Sequence, residues 1–182
     1  VAACVRLHGM APVALLAKRR LLAPRWSLVH ATHADNKELE QVRLAGATVV
    51  LCPTTEADLG DGIVNLPDFL NAGGHIAIGS DSNVGRHACA ELRLLEWTMR
   101  LTHGQRNVLS SAEQPVVAER IYAAAWRGGQ RALGVGQDDG AADQRADFVT
   151  YDLHDRDCLL QQPRDFLSAL MFDSPAPYAQ QV

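Results

Sequence analysis

Apolar positions along this chain fall into short blocks of two kinds. Trp26–Ala31, Thr48–Cys52 and His75–Gly79 are nearly continuous apolar runs of strand length, and Thr48–Cys52 is rich in the β-branched residues that suit a buried strand. The first of these runs is likewise expected to be a buried strand. Between and after them the apolar residues recur at helical spacing. Leu92, Leu95 and Met99 make one stripe of a helix predicted over Ala90–Leu101, and Val117, Ile121 and Ala125 make another over Pro115–Arg127.

The punctuation agrees with these blocks. Val1–His8 and Pro12–Leu22 read as two helical pieces, with Pro12 in a first turn where its missing N–H costs little. Asp35 followed three residues on by Glu38 predicts a capping box, and Gly46 the end of that helix. Thr54–Gly62 reads as a polar loop, and Pro67–Ala72 as a short helix closed by Gly73-Gly74. The alternation of strand and helix predicts parallel strands joined by right-handed crossovers. Gly134–Gln144 then reads as a Gly/Asp-rich linker and Ala146–Asp152 as a strand, so a boundary is predicted near residue 135, dividing the chain into 1–134 and 135–182.

Composition narrows the classes. The 182 residues are 47% hydrophobic and 21% charged with a net charge of -4, which suits a globular domain with its own core. No basic block stands out, which argues against nucleic acid or an anionic membrane surface as partner, and Lys18-Arg19-Arg20 reads as a solvated helix face. Cys4, Cys52, Cys89 and Cys158 form no C-x-x-C pair and read as reduced thiols of a cytoplasmic protein. No apolar stretch approaches the ~20 residues needed to span a bilayer. The chain starts at Val1 inside a helical pattern and stops just after a Pro-containing turn, so it reads as a piece of a longer polypeptide.

Chemistry-bearing residues stand at the strand ends. The first run stops at His30, the second at Cys52-Pro53-Thr54-Thr55, and the third passes through Gly79 and Ser80 to Asp81. Parallel α/β folds place their reactive groups at the carboxyl ends of strands, so these three ends read as part of an active-site rim. Asp81 is expected to be buried there, where a carboxylate needs a cation or a donor network. Glu56, Asp58 and Asp61 share the rim as loop acids, and Thr54 and Thr55 are candidates for fixing the loop or a ligand. His33 stands where the chain turns into the next helix, and His75, at the opposite end of its strand, is expected to be structural. One His and one Asp are too few for a catalytic metal. The glycines from Gly134 to Gly140 lack dinucleotide spacing, no G-x-S-x-G supports Ser80 as a nucleophile, and no H-E-x-x-H occurs.

With these residues in view, the chain resembles the metal-dependent amidohydrolase superfamily, and in its wording the formimidoylglutamate deiminases. The strings that carry the resemblance are WSLVHATHAD (26–35), LCPTTEADLGDGI (51–63), IGSDSNV (78–84), ELRLLEW (91–97), RNVL (106–109) and RADFVTYD (145–152). The resemblance implies a distorted (β/α)8 TIM-like barrel, of which 1–134 would be the C-terminal half with the last three strands. Residues 135–182 would be a linker and part of a small β-domain. It implies that His30 ends the sixth barrel strand and orients the attacking water, and that Asp81 ends the eighth, binds the metal and takes the proton. Thr54, Thr55, Glu56 and Ser82 are the substrate-binding candidates.

The implied cofactor is one zinc ion per intact subunit, whose other ligands and acid/base Glu would precede Val1. The implied reaction is deimination of N-formimidoyl-L-glutamate, a small-molecule substrate, in histidine degradation. The implied assembly is a homodimer. Asn83 stands where many relatives are expected to carry His. Two other readings stay open: a deaminase of a purine or pyrimidine ring, and a catalytically silent α/β binding module.

Overall fold

In a computed structural model, residues 1–135, 149–151, 165–172 and 179–181 are described. Two short helices come first, α1 (Ala2–His8) and α2 (Pro12–Lys18). Then strands and helices alternate: β1 (Ser27–Val29), α3 (Asn36–Leu44), β2 (Thr48–Leu51), α4 (Pro53–Leu59), α5 (Pro67–Asn71), β3 (His75–Ile78), α6 (Ala88–His103) and α7 (Val117–Leu133). The later described elements are β4 (Thr150–Tyr151), α8 (Phe166–Phe172) and β5 (Ala179–Gln181).

The strands β1, β2 and β3 form one parallel sheet in chain order, with Val29 beside Val50 and Val50 beside Ala77. Helical crossovers are what parallel neighbours require, and α3 and then α4–α5 supply them. Helix α7 packs on β3 and β2, α6 on β3, and α3 on β2. Val49, Leu51 and Ile76 face this helical layer and are fully buried with Leu92, Met99 and Ile121. Each such side chain contributes about 1.5–3 kcal/mol relative to exposure. Helix α8 packs against α6 and α7 and adds the buried Met171 to the same core, so the core draws on residues beyond 134. Strands β4 and β5 pair antiparallel.

Several local expectations hold. The capping box at α3 is complete: the Glu38 amide donates to Asp35 Oδ1, and Glu38 Oε2 accepts from the Asp35 amide. Glu38 Oε1 also accepts from the amide of Ala14, which ties α2 to α3. Gly46 and Gly73 take left-handed backbone after α3 and α5.

Other expectations need correction. The stretch from Thr54 is not a loop, because Pro53 occupies a first-turn position and α4 runs to Leu59, with Gly60 left-handed at its end. β1 is not a buried strand: Ser27 and Val29 are exposed, since β1 is an outer strand with β2 as its described neighbour. Helix α7 runs six residues past Arg127, straight through Gly128-Gly129. The cause is close packing, for a Cβ built on Gly128 would stand 1.7 Å from the Ile76 carbonyl oxygen. Of the predicted strand Ala146–Asp152, only Thr150–Tyr151 is described as strand; residues 146–148 and 152, and most of the predicted linker, lie outside the described residues, as does His154.

Candidate active site at the strand ends

The sheet ladder fixes where each strand delivers its terminal residue. The His30 amide donates to the Val50 carbonyl, and the Gly79 amide to the Leu51 carbonyl, so both outer strands stay paired to the very end of β2. Beyond that point the backbone turns sharply. His30 and Ala31 have φ of 66° and 52°, and Asp81 has φ of 50°. Non-glycine residues rarely adopt this left-handed region, and they do so chiefly where surrounding contacts hold them.

The result is a compact polar cluster over the end of β2. His30 Nε2 lies 3.5 Å from Asp81 Oδ2, and His30 Nδ1 lies 3.2 Å from Glu56 Oε1. The Cys52 amide donates to the same Glu56 oxygen at 2.9 Å. Asp81, expected to be buried, is instead open to solvent, with 39% of its side chain exposed. Its carboxylate sits on the rim rather than under it, because the chain has already left the sheet at Gly79. The Ser82 hydroxyl, exposed beside it, donates to Asp81 Oδ1 at 3.3 Å.

The other candidates are divided. The Thr55 hydroxyl donates to the Ser80 carbonyl, and both the amide and the hydroxyl of Thr54 donate to Glu91. Both threonines thus fasten α4 to the turn after β3 and to α6 rather than leaving their hydroxyls open. Glu56 is likewise buried and turned toward the protein. Glu91, a buried carboxylate in the first turn of α6, was not singled out in the sequence. Its signal was an acid directly before the apolar stripe of Leu92, Leu95 and Met99.

Asn83 donates to Asp58 at 2.6 Å and its Oδ1 accepts from the Gly85 amide, so it joins the loop after Asp81 to α4. His33 is exposed and, with His30 and Glu38, lines a cavity of about 360 Å³ beside β1. His75 is at the far end of β3, as expected, and burial together with Arg131 holds its imidazole below the usual histidine range. Burial, reinforced by the charges of Glu56, Asp81 and Glu91, pushes the Cys52 thiol up to about 11. Cys4, Cys52 and Cys89 are all unpaired thiols.

A catalytic zinc takes about three protein ligands and keeps a position for water. Among the described residues no three His, Cys, Asp or Glu side chains gather into such a group. The described residues around Asp81 therefore do not complete a set of ligands. Among them, too, no helix is long and apolar enough to cross a membrane.

Comparison with known proteins gives this rim its context. The formimidoylglutamate deiminase of Pseudomonas aeruginosa is 42% identical over 152 residues, 84% of this chain and 34% of that protein. A 5-methylthioadenosine/S-adenosylhomocysteine deaminase of Pyrococcus furiosus is 31% identical over 58% of this chain and 26% of its own length. Among solved structures, an amidohydrolase from Brucella melitensis superposes with a TM-score of 0.85 at 36% identity, covering 98% of this chain and 40% of that one. An adenosine deaminase from Xanthomonas campestris with bound zinc gives 0.80 at 27% identity, covering 96% of this chain and 39% of its own. The chain thus spans about a third of the length of the first of these relatives and less of the second. Residues 4–180 match the amidohydrolase family, and a match of that extent places this chain in it: the protein belongs to the amidohydrolase family.

Proposed function

We propose that this chain forms part of a zinc-dependent hydrolase that converts N-formimidoyl-L-glutamate and water to N-formyl-L-glutamate and ammonia. The observation that carries the reading is the 42% identity, over 84% of the chain, to the Pseudomonas aeruginosa formimidoylglutamate deiminase. The geometry of His30 and Asp81 supports it. In this reading β1, β2 and β3 are the sixth, seventh and eighth strands of a (β/α)8 barrel, and most of the metal ligands come from outside these 182 residues.

A zinc ion in the complete site would supply a water with its pKa lowered towards ~7. Asp81 would hold that ion as one carboxylate ligand, and its exposed carboxylate would serve as acceptor for the proton of the attacking water. His30 Nε2, beside that carboxylate, orients the water and stabilises the charge that develops at the amidine carbon. Ser82 is the member of the predicted substrate-binding set whose exposed side chain faces the rim. The departing nitrogen takes its proton from an acid beyond this chain.

A second reading is favoured by the purine-related deaminases among the relatives: hydrolytic deamination of a purine ring. Ammonia release separates the two, measured for the full reading frame that encodes this chain, with zinc, on N-formimidoyl-L-glutamate, 5′-methylthioadenosine and guanine. Release from the amidine alone supports the proposal. Release from a purine alone replaces it, and no release from any of them favours a silent binding module.

A further inference from the structure

We propose that Glu56 is the positioning residue for His30, holding the proton on Nδ1 and aiming Nε2 at Asp81. Glu56 is a buried carboxylate, only 7% exposed, and its hydrogen-bonding partners among the described residues are the Cys52 amide and the His30 ring. Neither is a Lys or an Arg. A carboxylate taken out of water without a cation is costly, and N–H donors are what offsets that cost. One donor, the Cys52 amide, comes from the residue before α4. The second is His30, twenty-six residues away at the end of another strand.

The shared oxygen calls for a proton on Nδ1. The Cys52 amide can only donate, and an ionised carboxylate can only accept. Glu56 Oε1 therefore accepts from both sides, and the hydrogen bond to His30 requires the proton on Nδ1. Nε2 is left as the nitrogen that faces Asp81 Oδ2. This assignment follows from chemistry at a named atom, as the orienting carboxylate of a histidine generally does.

The backbone shows why a holding group is needed. His30 and Ala31 are consecutive non-glycine residues in left-handed backbone, a conformation that costs roughly 1–2 kcal/mol per residue. A side chain carried on such a turn keeps its direction only if a contact fixes it. Glu56 is placed to do so because Pro53 starts α4 directly after β2, and the first turn of the helix brings residue 56 back over the strand end. Glu56 Oε1, read in the sequence as part of a substrate contact, serves two protein donors.

The inference rests on His30 being the working histidine of the proposed reaction, so its test includes a readout that needs no substrate. In the full-length protein carrying this chain, with histidines labelled and His30 assigned through His30→Asn, the ring nitrogen-15 shifts report the tautomer directly. Wild type is expected to show a protonated Nδ1 at His30. Glu56→Gln, whose amide oxygen can still accept both N–H groups, keeps that tautomer. Glu56→Ala loses it and shifts His30 towards the Nε2-protonated form, with kcat down about 10- to 100-fold at little change in KM.

A role confined to capping α4 predicts otherwise: His30 in Glu56→Ala would keep its wild-type tautomer, and that result overturns the proposal. So does a wild-type His30 protonated on Nε2 alone. If N-formimidoyl-L-glutamate is not turned over but the tautomer still follows Glu56, the substrate reading fails and the positioning role stands.

Discussion

His30 Nε2 approaches Asp81 Oδ2 to 3.5 Å although the two residues leave the sheet from its outer strands, with β2 between them. Strands two places apart are separated by about 10 Å in a sheet. The pair meets only because both chains turn inward at left-handed residues just past the ladder, and because Glu56, rising from the end of β2 between them, holds the histidine.

If that pair does the chemistry, removing either member is more harmful than its exposure implies. Asp81→Asn and His30→Gln are each expected to lower ammonia release by at least about a hundredfold in the full-length protein, the scale of a lost proton-transfer group. Thermal unfolding should change little for Asp81→Asn, whose side chain is solvent-exposed. Steady-state assay beside a melting curve checks both, and a large loss of stability with unchanged activity would contradict the role.

The two glycines inside α7 give opposite expectations at adjacent positions. A methyl group on Gly128 would collide with the Ile76 carbonyl, so Gly128→Ala is expected to destabilise by about 3 kcal/mol or more as α7 is pushed off β3. Gly129 has nothing within 4 Å of its added methyl, so Gly129→Ala is expected to stabilise by about 0.5–1 kcal/mol through the helix backbone. Urea denaturation of the two variants decides.

Glu96 is a buried carboxylate with a purely architectural role. It accepts from the amides of Val108 and Leu109 and from Arg100 Nε, which folds the segment after α6 back onto that helix. Glu96→Ala leaves these donors without their acceptor and is expected to cost about 3 kcal/mol. Glu96→Gln also destabilises, because either orientation of the amide points an NH₂ at an N–H donor. Denaturant midpoints measure both.

His75 predicts an acid sensitivity. Its folded pKa is lowered by burial and by Arg131, so below the ordinary value near ~6.5 the unfolded chain binds a proton that the folded one resists. Stability is therefore expected to fall as pH drops from about 6.5 through the lowered folded pKa. Removing the titrating group in His75→Gln should flatten that part of a stability–pH curve. An unchanged slope would assign it to other groups.

Cys52 is expected to be the slow thiol. With its pKa raised to about 11, its thiolate fraction at pH 8 is about a hundredfold below that of a thiol at the ordinary value of 9.0, and the side chain is also buried. Among the described thiols Cys4, Cys52 and Cys89, alkylation followed by peptide mass mapping should label the part-exposed Cys4 first. The linkage runs towards alkali: the folded state retains this proton more tightly, so Cys52 contributes stability below about pH 9 that is lost as pH rises towards 11.

Much of the fold was legible because its signals are local. The strand runs, the Asp35–Glu38 box and the stripe of Leu92, Leu95 and Met99 each depend on residues within a turn or two of one another. The errors share a cause as well. Residues 54–62 read as a loop because their acids and threonines are polar, yet Thr54, Thr55 and Glu56 turn inward to Glu91, Ser80 and His30, which only folding brings near. The helix predicted to end at Arg127 continues through Gly128, and the carbonyl of Ile76 that requires this glycine lies fifty-two residues away.

The sequence alone therefore determined the alternating parallel architecture, the resemblance to the amidohydrolases, and the pairing of His30 with Asp81 as the residues to watch. Periodicity, capping and motif wording are properties of neighbouring residues and survive without coordinates. Tertiary structure decided what those residues do to each other: that Asp81 is open, that Thr54 and Thr55 bind the scaffold, and that Glu56 reaches His30 rather than solvent. Hydrogen bonds form over about 3 Å between groups that the chain separates by tens of residues, and their partners exist only once the strands are side by side.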